Sequence, residues 1–220
     1  IAFVLGSIGV ICGQTGNYKK AIKHCKKAYE MVKKQKNKYE IAVKSANLGR
    51  IHESQGRYRE AIKYYDEAIE IDIALKLNRL LAKHYYYKAD CLHELKKYEE
   101  AKEINRAAHE IAKEIKNEHF IFSCKVLSAK IDFEFAKNEQ EKLNFINNLE
   151  KMLFKTEEQE KIANLNYELA IMNFKLGKNE MAENYRTAAV RLFSELYKKD
   201  SNIDYKNKIQ RLTATKNGNN

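Results

Sequence analysis

The chain contains no proline and no tryptophan, and only eight of its 220 residues are glycine. Turns and strand edges normally draw on proline for its fixed backbone angle, so a chain of this length without one reads as helix-rich. No apolar stretch is long enough to span a bilayer. The longest, Ile1 to Gly13, holds three glycines and lacks a basic leader or a cleavage site, so it is not read as a signal peptide. Arginine is scarce beside lysine, 8 against 33. Arginine is the better phosphate fork, and its scarcity argues against a dedicated nucleic-acid surface. Paired cysteines are absent too. Cys12, Cys25, Cys91 and Cys124 form no Cys-x-x-Cys pair, and no cysteine–histidine spacing matches a zinc site, so the thiols read as reduced and buried, and the protein as cytoplasmic.

What is present is 44% apolar and 32% charged residues, enough for an ordered chain, with a net charge of +11. Asn17 to Lys38 holds nine lysines and one glutamate and carries +8 of that charge. Lys19, Lys20, Lys23, Lys26 and Lys27 fall on one helical stripe, opposite an apolar stripe of Tyr18, Ala21, Ile22, Cys25, Ala28, Tyr29 and Val32. This is the pattern of an amphipathic helix with a wet outer face. The six histidines include no pair at i,i+4, no phosphate-loop spacing occurs, and no nucleophile, base and orienting partner assemble. No catalytic residue, metal ligand set or cofactor is expected.

One pattern recurs every forty residues: Gly16-Asn17-Tyr18-Lys19-Lys20-Ala21, Gly56-Arg57-Tyr58-Arg59-Glu60-Ala61 and Lys96-Lys97-Tyr98-Glu99-Glu100-Ala101. A further echo, Gly177-Lys178-Asn179-Glu180-Met181-Ala182, follows after room for one worn copy. Fixed-period self-similarity signals a stacked repeat protein, which presents a long surface instead of a pocket. Each copy reads as two helices. A forty-residue period leaves about 17 residues per helix, each roughly 26 Å long at about 1.5 Å per residue.

The register resembles the tetratricopeptide repeat. Its first-helix pattern is matched by Leu5-x2-Ile8-Gly9-x2-Cys12, Ser45-x2-Leu48-Gly49-x2-His52 and Asn166-x2-Leu169-Ala170-x2-Asn173. Its second-helix pattern is matched by Ala21-x3-Cys25-x2-Ala28, Ala61-x3-Tyr65-x2-Ala68, Ala101-x3-Asn105-x2-Ala108 and Ala182-x3-Arg186-x2-Ala189. The family's late proline is replaced by Lys33, Ile73, Lys113 and Ser194, and the period is longer than the usual thirty-four. This long form is similar to kinesin light chains, to peptide-sensing Rap proteins and to arms of large bacterial signalling proteins.

The resemblance implies an all-α superhelical solenoid of antiparallel helix pairs, residues 1–200. Its repeats are expected near 1–38, 39–77, 78–117, 118–157 and 158–199. A capping helix at 201–213 and a disordered tail at 214–220 would follow. The resemblance also implies a non-catalytic scaffold that binds a peptide or partner protein in a concave groove. Asn47, Arg50, Lys83, Tyr86, Tyr87, Asp90, Lys130 and Tyr167 would face that groove. Because the sequence begins inside a helical pattern without methionine, it is expected to be the C-terminal arm of a larger bacterial signalling protein. The alternative is a nucleic-acid or acidic-partner surface on the lysine stripe of the first repeat.

Overall fold

A computed structural model describes residues 1–217, and among them every regular element is a helix. The order is α1 (Ala2–Gln14), α2 (Tyr18–Lys34), α3 (Lys38–Ser54), α4 (Tyr58–Ala74), α5 (Asn78–Glu94), α6 (Tyr98–Glu114), α7 (Glu118–Phe135), α8 (Glu139–Leu153), α9 (Gln159–Lys175), α10 (Asn179–Asp200) and α11 (Ile203–Asn217). Six of them, α2 to α6 and α9, are 17 residues long, the length the forty-residue period requires. The last helix runs a turn past the expected capping segment. Residues 218–220 of the expected tail lie outside the described residues.

One turn design is used again and again. Gly16, Lys36, Gly56, Lys76, Lys96 and Lys116, spaced by twenty residues, all have positive φ, between 52° and 81°. At each, two backbone N–H groups reach back to close the preceding helix. For the first, Gly16 N–H donates to Gly13 O at 3.0 Å and Asn17 N–H to Cys12 O at 2.8 Å; for the fifth, Lys96 donates to His93 O and Lys97 to Leu92 O. This is the Schellman closure, which satisfies the orphan carbonyls of a helix end. Where the residue after the left-handed one is asparagine, its side chain caps the next helix; Arg57, Leu77 and Lys97 in the same place make no such bond. Asn17 accepts from Lys20 N–H, Asn37 from Glu40 N–H and Asn117 from Phe120 N–H. Three residues thus end one helix and start another, without proline.

The chain divides into two compact units, Ile1–Ile131 and Asp132–Asn220. In the first, α1 packs on α2, α3 on α4 and α5 on α6, while α2 meets α3 and α4 meets α5. Small residues set the closeness of each pair. Ala21, Ala28, Ala61, Ala68, Ala101 and Ala108 are all fully buried. Gly49 shows why its slot takes no side chain: a Cβ there would lie 2.7 Å from Cε1 of the buried Tyr65 ring. At Gly9 a Cβ would lie 2.3 Å from the Cys25 sulfur. The tyrosine of the repeated motif ties each pair to the next. Tyr18 donates its hydroxyl to Ser54 O at 3.2 Å, and Tyr58 donates to Glu94 at 3.2 Å.

Some polar links of the first unit lie deep between its helices. The Asp72 carboxylate and His84 Nδ1 lie 2.6 Å apart, both residues almost wholly buried. Asn105 donates to Cys124 O and to Ser128 Oγ, each at 2.9 Å. In the second unit, Tyr185 donates to Glu150 at 2.6 Å, joining α10 to α8. There α11 lays Tyr205 and Leu212 on Phe193, Tyr167 and Ala163, and Tyr205 stacks on Phe193 with centroids 5.7 Å apart.

Tyr167 is therefore not a surface residue, contrary to the sequence expectation. It is 6% exposed, packed edge-on against Phe193, with the Lys208 ammonium of α11 5.6 Å from its ring centroid. The terminal helix takes the place that solvent would otherwise fill.

Candidate partner-binding face

Seven of the eight expected groove residues belong to α3, α5 and α7 of the first unit. Arg50, Asp90 and Lys130 occupy the same slot in three successive repeats, forty residues apart. Lys130 Nζ lies 3.4 Å from the Asp90 carboxylate, bridging α7 to α5. The Arg50 guanidinium lies 4.6 Å from the Tyr87 ring centroid, bridging α3 to α5, and pairs with Glu53 at 3.0 Å. Tyr86 and Tyr87 form an aromatic floor with Phe120 of α7, at centroid separations of 5.5 to 6.4 Å. Tyr65 supports Tyr87 from beneath by stacking at 5.8 Å. Such offset and tilted ring pairs hold their geometry. Asn47 is half-buried on α3, one turn before Arg50.

Lys83 is the electrostatic anomaly of this face. It is half-buried, and among the described residues no carboxylate lies within 4.0 Å of its ammonium; the Tyr87 ring centroid lies 5.9 Å away. Burial lowers its pKa, and the positive charges of Arg50 and Arg79 lower it further. Burial and the Asp90 charge hold the Tyr86 hydroxyl well above the usual tyrosine range, so it stays a neutral donor.

Two contributors were not singled out from sequence. Glu53 accepts from Arg50 and from the Tyr65 hydroxyl, anchoring the cation from below. Phe120 completes the aromatic floor, yet it sits where the repeat pattern is weakest. The i,i+3 relation of Glu53 to Arg50 was the available signal for the first; the second had none.

Asp90, His93 and Glu94 bring one ligand-type atom each to within 4.8 Å of one another. Their carboxylates are already engaged, Asp90 by Lys130 and Glu94 by the Tyr58 hydroxyl. The four cysteines are free thiols. Burial raises Cys25 to about 11 and Cys124 to about 12 and pushes Cys91 higher still, so all three stay protonated at neutral pH. The lysine stripe lies apart from the α3–α5–α7 face, on α2, with Lys19, Lys20, Lys23, Lys26 and Lys27 all exposed. No helix among the described residues is long and apolar enough to cross a membrane.

Stacked, antiparallel helix pairs joined by one repeated turn define an all-α solenoid. Two models of the tetratricopeptide repeat match this chain, one over residues 1–74 and one over residues 47–114, together just over half of it. The chain belongs to the tetratricopeptide-repeat family. No curated protein gives a significant match. Among solved structures, the Rap conjugation gene regulator of plasmid pLS20, in complex with the Phr* peptide, is similar at 16% identity and a TM-score of 0.72. That match covers 95% of this chain and 56% of the other. Aspartyl phosphate phosphatase F from Bacillus subtilis is similar at 19% identity and a TM-score of 0.61, over 80% of this chain and 44% of that one. A putative kinesin light chain repeat protein from Podosopora anserina is similar at 13% identity and a TM-score of 0.61, over 88% and 95%. The chain thus spans about half the length of the first two. These likenesses establish the fold, and the family is that of protein-interaction scaffolds.

Proposed function

We propose that this chain captures a peptide, or an extended segment of a partner protein, on the α3–α5–α7 face, and that it does no chemistry of its own. A division into repeats near 1–38, 39–77, 78–117, 118–157 and 158–199 belongs to this reading, and α3, α5 and α7 of the first unit would supply the face. The carrying observation is Lys83, a half-buried cation without a counter-ion, beside a rigid aromatic floor and flanked by charges of both signs. Such a surface suits a ligand offering carboxylate or carbonyl oxygens to Lys83 and an apolar side chain to Tyr86 and Phe120. Asn47 can serve a peptide backbone as donor and acceptor at once. The similar Rap regulator, whose structure holds a peptide, supports this reading. A place as one arm of a larger bacterial signalling protein, acting in the cytoplasm, is part of the same proposal.

Selection of a displayed random-peptide library against the protein tests it. Enriched peptides should bind the parent and lose binding, about tenfold or more, to the triple variant Asn47→Ala, Arg50→Ala, Lys83→Ala, whose helical content should be unchanged. Peptides that bind the triple variant as tightly as the parent would show that this face is not the docking site.

A further inference from the structure

A second surface lies on the opposite helices of the first unit. A groove of about 560 Å³ runs between α2 and α4, walled by Lys26 and Tyr29 on one side and by Lys63 and Tyr64 on the other. His52, from the end of α3, lines it as well. His52 is 7% exposed and stacks on Tyr64 with ring centroids 5.4 Å apart and planes 14° apart. Its Nδ1 is buried and has no hydrogen-bond partner. A buried, unpaired ring nitrogen is costly unless something completes it.

The charge balance of the groove is uneven. Its Glu67 carboxylate is consumed within the protein: Tyr29 donates to it at 2.6 Å, Ser45 at 2.6 Å, and Lys33 approaches to 3.7 Å. That leaves Glu60 against Lys26 and Lys63, and among the described residues neither lysine has a carboxylate within 4.0 Å. The cationic side continues along α2 through Lys19, Lys20, Lys23 and Lys27, all exposed. Lys19 to Lys34 spans roughly 22 Å at about 1.5 Å per residue, the length of one helix of similar size.

We infer that this α2–α4 groove and the lysine stripe beside it form a docking site for an acidic polypeptide segment, whose carboxylates meet Lys23, Lys26 and Lys63 while an apolar side chain enters between Tyr29 and Tyr64. Charge complementarity selects that occupant. The outer side of α4 argues against a nucleic acid, because Asp66 and Glu70 are exposed there, outside the groove that Glu60 lines, and would meet a long phosphate backbone head-on. No arginine lies on α2 to offer the planar fork that phosphate recognition favours. A short acidic segment covers the lysines without reaching those carboxylates. The site is separate from the face proposed above and stands whether or not that reading holds.

The probe is a fluorescein-labelled sixteen-residue peptide with glutamates at i,i+4 spacing and one central leucine, read by anisotropy in about physiological salt. Saturable binding is expected, with an affinity at least about tenfold weaker for Lys23→Glu/Lys26→Glu/Lys63→Glu. Lys23→Gln/Lys26→Gln/Lys63→Gln should fall between that variant and the parent, and it serves should charge reversal disturb the helices. Saturation with the peptide should raise the titration midpoint of the His52 imidazole in an NMR series, which a lysine contact remote from the groove would not do. Lys198→Glu, at an exposed position of α10 that belongs to neither face, should leave the affinity unchanged, which separates the groove from a general effect of net charge. Equal binding by parent and the charge-reversed variant would overturn the proposal. So would tighter binding of a twenty-base-pair duplex, which would assign the stripe to nucleic acid, or self-association lost on charge reversal, which would assign it to a second copy of this chain.

Discussion

Lys36, Lys76, Lys96 and Lys116 hold φ between 52° and 60°, where Gly16 and Gly56 hold 81° and 72°. A side chain in this left-handed region costs about 1–2 kcal/mol, against which glycine's extra freedom in the unfolded chain costs about 0.5–1 kcal/mol. Lys96→Gly restores the glycine that the first two copies of the motif keep. It should stabilise the fold by about 0.5–1 kcal/mol, seen as a rise of a few degrees in the thermal midpoint. The Asp72–His84 pair runs the other way. His84→Ala leaves a buried carboxylate without its partner and should cost about 3–5 kcal/mol in urea unfolding, whereas an exposed lysine such as Lys23 replaced by alanine should cost next to nothing. The alanine and glycine slots were legible because packing distance restricts them: Gly49 tolerates no Cβ against Tyr65. The Asp72–His84 contact was not legible, because nothing in a sequence says that two polar residues on successive helices will be buried face to face.

At the scale of the helix, the lost proline matters more than any residue present. With no late proline to stop them, the second helices α2, α4 and α6 run 17 residues, and each ends instead by the two backbone bonds of the left-handed turn. The sequence period predicted that length, and α2 to α6 have it. The worn copy was less legible: its second helix, α8, begins at Glu139, where Asn138 caps it by accepting from Glu141 N–H at 2.9 Å, a start that no glycine or aromatic of the repeat marks. So was the end of the chain. The helix expected near the terminus proved to be α11, and its burial of Tyr167 removed a residue that repeat register alone had put on the surface. Leu212 is fully buried at this contact. Leu212→Ala should destabilise the protein by about 2–5 kcal/mol and expose Phe193 and Tyr205, raising the binding of a hydrophobic dye. An unchanged midpoint would mean that α11 does not cover the last pair.

For the whole molecule, stability in a stack of helix pairs is close to a sum of pair and neighbour terms, so no single core controls it. Function is distributed in the same way. The net charge of +11 concentrates on α2, while the α3–α5–α7 face mixes signs over aromatic rings. Repeat register placed Arg50, Asp90 and Lys130 in one slot by arithmetic alone, and the structure joins two of them by an ion pair. Around that slot, Glu53 is a local i,i+3 neighbour of Arg50, whereas Phe120 reaches it from another helix and carried no signal in the sequence. The central claim is that a partner lies on this face. It is tested most directly by placing a photo-crosslinking amino acid at Asn47, or in a second protein at the exposed Lys198 of α10, and irradiating each with a library-selected peptide that the triple variant fails to bind. The account predicts efficient crosslinking from position 47 and none from position 198. Crosslinking from position 198 alone would contradict it.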